Sequence, residues 1–212
     1  MRSSYVQNNF GQLLEEYVKS PTWQPSSFVE LGVLDGYSTL HIARGIEWLH
    51  KYRGFKPPFD AYDLFEDYQF KHGKKDEVEK VLSENNLLDY VNLQSGDAYK
   101  VHSNYPEITY DSEGDPGRGI EFLHIDISNT GQVIKDIMEL WHPKIGARGL
   151  IFIEGGSKER DEIEWMKKYN MPSIVDEINS NPIINKFYMY GTYFNFPSMT
   201  VLLRKWRKGQ CV

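Results

Sequence analysis

Five apolar segments of this chain each stop at an acid or a glycine turn, and a helix-like stretch follows most of them. The stops are Glu30 to Gly36, Asp63, Asp97, Asp126 and Glu154. Short, continuous apolar runs are what strands buried on both faces look like. Parallel neighbours cannot be joined by a tight turn, so strand and helix alternating about five times predicts an α/β fold with a doubly wound, mostly parallel sheet. Ligands of such sheets lie beyond the carboxyl ends of the strands. The acids and glycines therefore mark the side on which chemistry is expected.

Around this pattern the chain divides cleanly. Phe10, Leu13, Leu14, Tyr17 and Val18 recur at helical spacing and predict an amphipathic helix over 8–19, the centre of an N-terminal addition of about residues 5–20. "SPTWQPSS" breaks it with prolines. A strand over 28–32, a helix over 37–52, a strand ending near Asp63 and a charged helix over 74–84 follow. Then come the strand "YVNLQSGD", a Gly/Asp/Pro-rich loop over 111–119 and the strand "IEFLHID". Val133, Ile134, Ile137, Met138 and Trp141 form one stripe of a helix from Gly131 to Trp141. After "LIFIEGG" one helix is predicted over "KERDEIEWMKKYN", closed by Asn170 and Pro172. "KFYMYGTYFNFPSMTVLLRK" reads as an antiparallel strand pair turning around Gly191 or Pro197.

A length of 212 residues suits a single domain, and 40% hydrophobic with 14% aromatic residues supplies a core. The net charge of −6 disfavours nucleic acid as main partner. The one basic cluster, "RKWRK" from Arg204 to Lys208, reads as a solvated chain end. Cys211 is the sole cysteine, so no intramolecular disulfide forms, which fits a reducing compartment. The N-terminus lacks the apolar core of a signal peptide, and no run approaches membrane-spanning length. The expectation is a cytoplasmic protein with a small-molecule substrate and no nucleic-acid or membrane partner, with room left for a homo-oligomer.

"FVELGVLDGYSTLHIAR" (28–44) concentrates the chemistry. A helix N-terminus after a glycine turn offers free N–H groups and a positive dipole end. Yet Gly32 and Gly36 do not match G-x-G-x-x-G, which disfavours an NAD-dependent oxidoreductase. Taken singly, these glycines could serve only a tight turn, and Asp63 or Asp97 could be a helix cap or a loop acid. Their ordered occurrence at successive strand ends is what counts.

That ordered set resembles the class I S-adenosylmethionine-dependent methyltransferases. E-L-G-V-L-D-G-Y-S looks like their first motif, E-x-G-x-x-x-G, with a G-Y-S ending similar to the catechol-type O-methyltransferases. "YDLFED" resembles the D-x-F-E segment of the macrocin type, and "HIDISNTGQVIKDIMELWHPKIGARGLIFIEGG" resembles the region of its fourth and fifth strands. The resemblance spans roughly residues 26 to 204. It implies a Rossmann-like fold with a seven-stranded sheet, and S-adenosylmethionine as cofactor. The cofactor has no pyrophosphate, so a phosphate-cradling loop is unnecessary.

On this reading Glu30, Gly32 and Gly36 shape the turn, the glycines letting backbone approach the cofactor with no Cβ in the way. Tyr37 and Ser38 stand at the helix start that meets the methionine carboxylate. Asp63 accepts both ribose hydroxyls, and Asp97 sits where the family binds the adenine amino group. Asp126 is the first candidate beside the methyl acceptor, with Glu154 on the neighbouring strand and charged groups for the substrate in "GGSKER" (155–160). The predicted reaction is O-methylation of a sugar-like or natural-product-like hydroxyl. The rival is a cofactor-binding regulatory or interaction protein of the same fold without transfer activity.

The relatives hold a divalent cation with the Asp after the fourth strand and two adjacent residues after the fifth. Here Asp126 and Glu154 match two positions, but the third is Gly155. Magnesium is allowed by that set but not favoured. Among the histidines, His124 is read as a hydrogen-bonded structural residue, His102 as a cap or pocket residue, and His41, His50 and His142 as ordinary helix or turn residues. The run Phe187, Tyr188, Tyr190, Tyr193, Phe194, Phe196 is read as core and sheet edge, part of it walling the acceptor site.

Overall fold

The computed structural model describes residues 10–20, 25–69, 72–110, 117–194 and 198–205. Its contacts fall into two compact units, one up to Ala98 and one from Tyr99 onward. The first unit holds helix α1 (Phe10–Lys19), strand β1 (Phe28–Leu31), helix α2 (Tyr37–Arg53), strand β2 (Phe59–Asp63), helix α3 (Lys75–Glu84) and strand β3 (Asn92–Ser95). Its strands are parallel in the order β3-β2-β1, with Glu30 opposite Ala61 and Ala61 opposite Leu93. Every residue of β1 is buried, as a strand covered on both faces requires. Phe10, Leu14 and Val18 bury the apolar stripe of α1, and its polar side adds a His41–Glu15 contact of 3.0 Å to α2. Of the predicted N-terminal addition, residues 5–9 lie outside the described residues.

The second unit holds β4 (Ile120–Ile125), α4 (Gly131–Trp141), β5 (Ile145–Glu154), α5 (Lys158–Asp161), α6 (Glu164–Lys168), α7 (Ile174–Ser180), α8 (Pro182–Phe187), β6 (Tyr188–Tyr193) and β7 (Met199–Arg204). The strand order is β4-β5-β7-β6, parallel between β4 and β5 and antiparallel for β5–β7 and β7–β6. The predicted fold class holds: seven strands form a mostly parallel sheet with an antiparallel C-terminal pair.

The helical part of this unit corrects one expectation. The helix predicted over "KERDEIEWMKKYN" is two short pieces, α5 and α6, parted at Ile163, whose ψ of 152° is extended. Asp161 is drawn away from helix continuation because its carboxylate accepts the Ile174 and Val175 amides (2.9 and 3.0 Å) and the Ser173 hydroxyl (2.7 Å), fixing the start of α7. Helices α7 and α8 follow, starting at Ser173 and at the Asn181-Pro182 pair, both of which are helix-start signals in the sequence. Of the two turn positions expected for the C-terminal pair, Gly191 lies inside β6 opposite Val201; the connection falls between Tyr193 and Met199, the stretch that includes Pro197, which lies outside the described residues.

The basic tail is corrected too. Arg204 is not solvated but buried, donating from Nη1 to the carbonyls of His142 (3.1 Å) and Ile145 (2.5 Å) and from Nη2 to Tyr110 Oη (3.1 Å). Residues 206–208 of that cluster lie outside the described residues. His142 is no ordinary turn residue either: it is buried, 3.0 Å from Tyr188 Oη, with its ring tilted against Phe187 at a centroid distance of 4.5 Å. Among the described residues no helix is long and apolar enough to cross a membrane.

Candidate functional site

In the first unit the chain leaves β1 through a turn of left-handed residues. Gly32, Leu34 and Gly36 have φ of 94°, 48° and 76°. Gly36 is the N-cap of α2 and supplies no side-chain acceptor, so the first amides of a 17-residue helix begin uncapped. Tyr37 is half-buried, held between Phe10 and His41 at ring-centroid distances of 5.0 Å each, and Ser38 is buried behind it. Glu30 is fully buried one residue inside the strand end, where Thr39 Oγ1 donates to its Oε2 at 2.5 Å. Glu30 thus works beneath the turn, tying the first turn of α2 to β1.

Asp63 sits at the end of β2 and reaches across to this turn. Its Oδ2 accepts the amides of Val33 (2.7 Å) and Leu34 (2.8 Å), and its Oδ1 accepts the Phe65 amide (2.8 Å). A carboxylate has about four acceptor positions, so three are already used. Among the described residues that leaves about one, enough for one ribose hydroxyl rather than two. The glycine expectation also shifts. A Cβ on Gly36 would stand 2.8 Å from Val78 Cγ1, so packing against α3 demands a glycine there independently of any ligand. Asp97 follows β3, half-buried, beside Gly96, whose amide donates to the Asp63 carbonyl at 2.8 Å.

In the second unit the register pairs Ile125 with Ile153. Asp126 and Glu154 are the next residues, so two carboxylate residues leave neighbouring strands at one level. Asp126 is half-buried and Glu154 buried. Fully buried Asn129 ties the two strand ends: its Nδ2 donates to the carbonyls of Ile125 (3.2 Å) and Glu154 (2.9 Å). Gly155 and Gly156 then run through φ of 127° and 102°. A Cβ on Gly155 would meet Ile174 Cδ1 at 2.7 Å, and Thr200 Oγ1 donates to the Gly155 carbonyl at 2.9 Å. At the position of the relatives' third metal ligand a side chain would need a φ that residues with a Cβ rarely adopt, and the end of Ile174 would have to move aside. The cation site of those relatives is not reproduced, and no step below passes through a metal.

Burial and ring contacts place the remaining candidates. His124 is fully buried in β4, and His102 lies edge-on to Trp141 at 6.4 Å. In the aromatic run Tyr188 is core, whereas Tyr190, Tyr193 and Phe194 are exposed and Phe196 lies outside the described residues. Leu34, Phe65 and Asn129 escaped the sequence reading. No motif flags a leucine or phenylalanine with positive φ, and Asn129 was visible only as part of "SNTG" before a helix.

The fold is that of the Rossmann-like methyltransferases. A methyltransferase from Geobacter sulfurreducens is 16% identical with a TM-score of 0.62 over 94% of this chain and 79% of its own. The O-methyltransferase TomG from Streptomyces achromogenes, involved in tomaymycin synthesis and solved with S-adenosylmethionine, is 12% identical with a TM-score of 0.60 over 93% and 80%. An S-adenosylmethionine-dependent O-methyltransferase from Thermotoga maritima is 9% identical with a TM-score of 0.57 over 99% and 69%. No curated protein matches the chain. A family model described as a methyltransferase domain matches residues 29–154, more than half of the chain. The chain belongs to that family and is an S-adenosylmethionine-dependent methyltransferase.

Proposed function

We propose that this methyltransferase acts on a hydroxyl oxygen of a small molecule, of the sugar or natural-product kind, and that the chain works as one methyltransferase domain with its N-terminal helix added. The observation that carries the reading is the turn at 32–36, which bends through glycines into an uncapped helix start inside the segment the family model matches. The family match also runs through the boundary between the two units, which supports a single domain. O-methyltransferases among the similar folds support oxygen as acceptor. A net charge of −6 supports a small-molecule partner over nucleic acid, and the lone Cys211 supports a reducing, cytoplasmic setting.

The amides of Tyr37 and Ser38 are suited to the methionine carboxylate, an anion at a helix N-terminus. The last acceptor position of Asp63 suits one ribose hydroxyl, and Asp97 the adenine amino group. Glu30 and Gly32 hold the shape of the turn. S-adenosylmethionine supplies a sulfonium-bound methyl group that an oxygen nucleophile can accept. The protein's part is to hold the acceptor oxygen in line and to remove its proton. Asp126, half-buried at a strand end, is the candidate base, and Glu154, more deeply buried, is a candidate hydrogen-bond acceptor for the same hydroxyl.

The test is transfer of label from methyl-labelled S-adenosylmethionine to a panel of catechols, flavonols and deoxysugars. Label is expected on an acceptor oxygen. Asp126→Ala should lower the rate about 10²-fold or more, the scale of lost general-base catalysis, with cofactor affinity retained. Tight cofactor binding with no transfer across acceptor classes would favour the regulatory reading instead.

A further inference from the structure

Leu34 and Phe65 are bulky residues with φ of 48° and 47°, a conformation that side chains with a Cβ rarely adopt. Strain of this kind persists only where the surroundings hold it, and it gathers at functional sites. Here both strained amides donate to the same side chain, Leu34 N to Asp63 Oδ2 and Phe65 N to Asp63 Oδ1, each at 2.8 Å. Val33 N shares Oδ2 at 2.7 Å. On its other side the Leu34 carbonyl lies so close to Gly73 that a Cβ at Gly73 would clash with it. The turn after β1 thus owes its shape to a charge-assisted clamp at the end of β2, and such bonds are stronger than neutral ones.

We propose that Asp63 is chiefly a positioning residue, whose carboxylate clamps the strained Leu34 and Phe65 backbone and so holds the 32–36 turn in the shape that binds the cofactor. This rests on the reading that the turn receives S-adenosylmethionine. It differs from direct ribose recognition in one consequence: relieving the strain by another route should make the carboxylate dispensable. Glycine adopts positive φ at little cost, so Leu34→Gly with Phe65→Gly is that route.

The experiment titrates S-adenosylhomocysteine calorimetrically into the wild type, Asp63→Ala, the double-glycine variant and the triple variant, with thermal melts of each. In the wild-type background Asp63→Ala should weaken affinity about 10- to 100-fold, the range set by lost charge-assisted hydrogen bonds. In the double-glycine background the same change should weaken it about fivefold or less. Equal losses in both backgrounds would overturn the clamp and leave direct ribose contact as the role. If Asp63→Ala does not fold, Asp63→Asn replaces it. Its amide keeps one oxygen for Val33 and Leu34 but no longer holds the strained Phe65 backbone, so Phe65→Gly, which relieves that strain, should restore part of its binding. No restoration would likewise overturn the proposal. A wild type that does not bind S-adenosylhomocysteine defeats the reading of the turn. The clamp is then judged on the melts, where Asp63→Ala must lower the melting temperature more in the wild-type than in the glycine background.

Discussion

Ile174 Cδ1 occupies the space that a side chain at Gly155 would need, 2.7 Å from where its Cβ would stand. With a φ of 127° at Gly155 besides, an aspartate introduced there meets backbone strain and must also displace the end of Ile174. Methyl transfer by the wild type is therefore expected to persist in excess chelator. Gly155→Asp is expected to lower stability by about 2–4 kcal/mol, combining left-handed strain with overpacking, without creating magnesium-dependent activity. Rates with chelator and with added magnesium decide it: activity that disappears with chelator and returns with the ion would restore the metal reading.

Gly36 carries a similar constraint in the first unit. Its φ of 76° and the 2.8 Å approach of Val78 Cγ1 make Gly36→Ala costly before any cofactor is present, by about 2–4 kcal/mol. At about 2–4 °C per kcal/mol for a chain of this size, the melting temperature should fall about 5–15 °C. Adding Val78→Ala should recover the packing part only. A melting temperature unchanged by Gly36→Ala would show that the glycine is there for the ligand alone.

Arg204 closes the far end of β7. Arg204→Met keeps the length of the side chain but leaves the carbonyls of His142 and Ile145 without their buried donor. Each unsatisfied buried group costs about 1–3 kcal/mol, so a loss of about 2–5 kcal/mol is expected in denaturant melts. A loss near zero would mean that water replaces the guanidinium.

The His142 ring should make stability depend on pH. Burial, then the charges of Arg204 and Lys186, lower its pKa from 6.5 to about 4. The unfolded chain takes up this proton near pH 6.5 and the folded one only near 4, so between those values the unfolded state binds more protons. The contribution is fully present above about pH 6.5 and is lost as pH falls toward 4. At 1.36 kcal/mol per unit, the fall from 6.5 to about 4 amounts to at most about 3.4 kcal/mol. Urea melts at pH 7 and pH 4.5 should show the wild type losing more stability than His142→Gln. Parallel losses would show that His142 titrates alike in both states.

The sequence by itself determined the alternation of strand and helix and which acids and glycines stand at the strand ends. Apolar runs such as "FLHI" and "LIFI" must be buried on both faces, and their acids must then emerge at one edge. Glu30, Gly32, Gly36, Asp63, Asp126 and Glu154 were legible for that reason, as were the class of cofactor and the antiparallel final pair. Only the tertiary structure decided how each of these residues is used. Glu30 lies under the turn bound to Thr39, Asp63 spends three acceptor positions on backbone amides, and Gly155 faces Ile174 from a helix that the sequence reading passed over. Periodicity and propensity report on neighbours a few positions apart. A carboxylate 30 residues from the amide it accepts, or a buried arginine 62 residues from its carbonyl, leaves no mark in a local pattern, because such partners meet only when the sheet assembles.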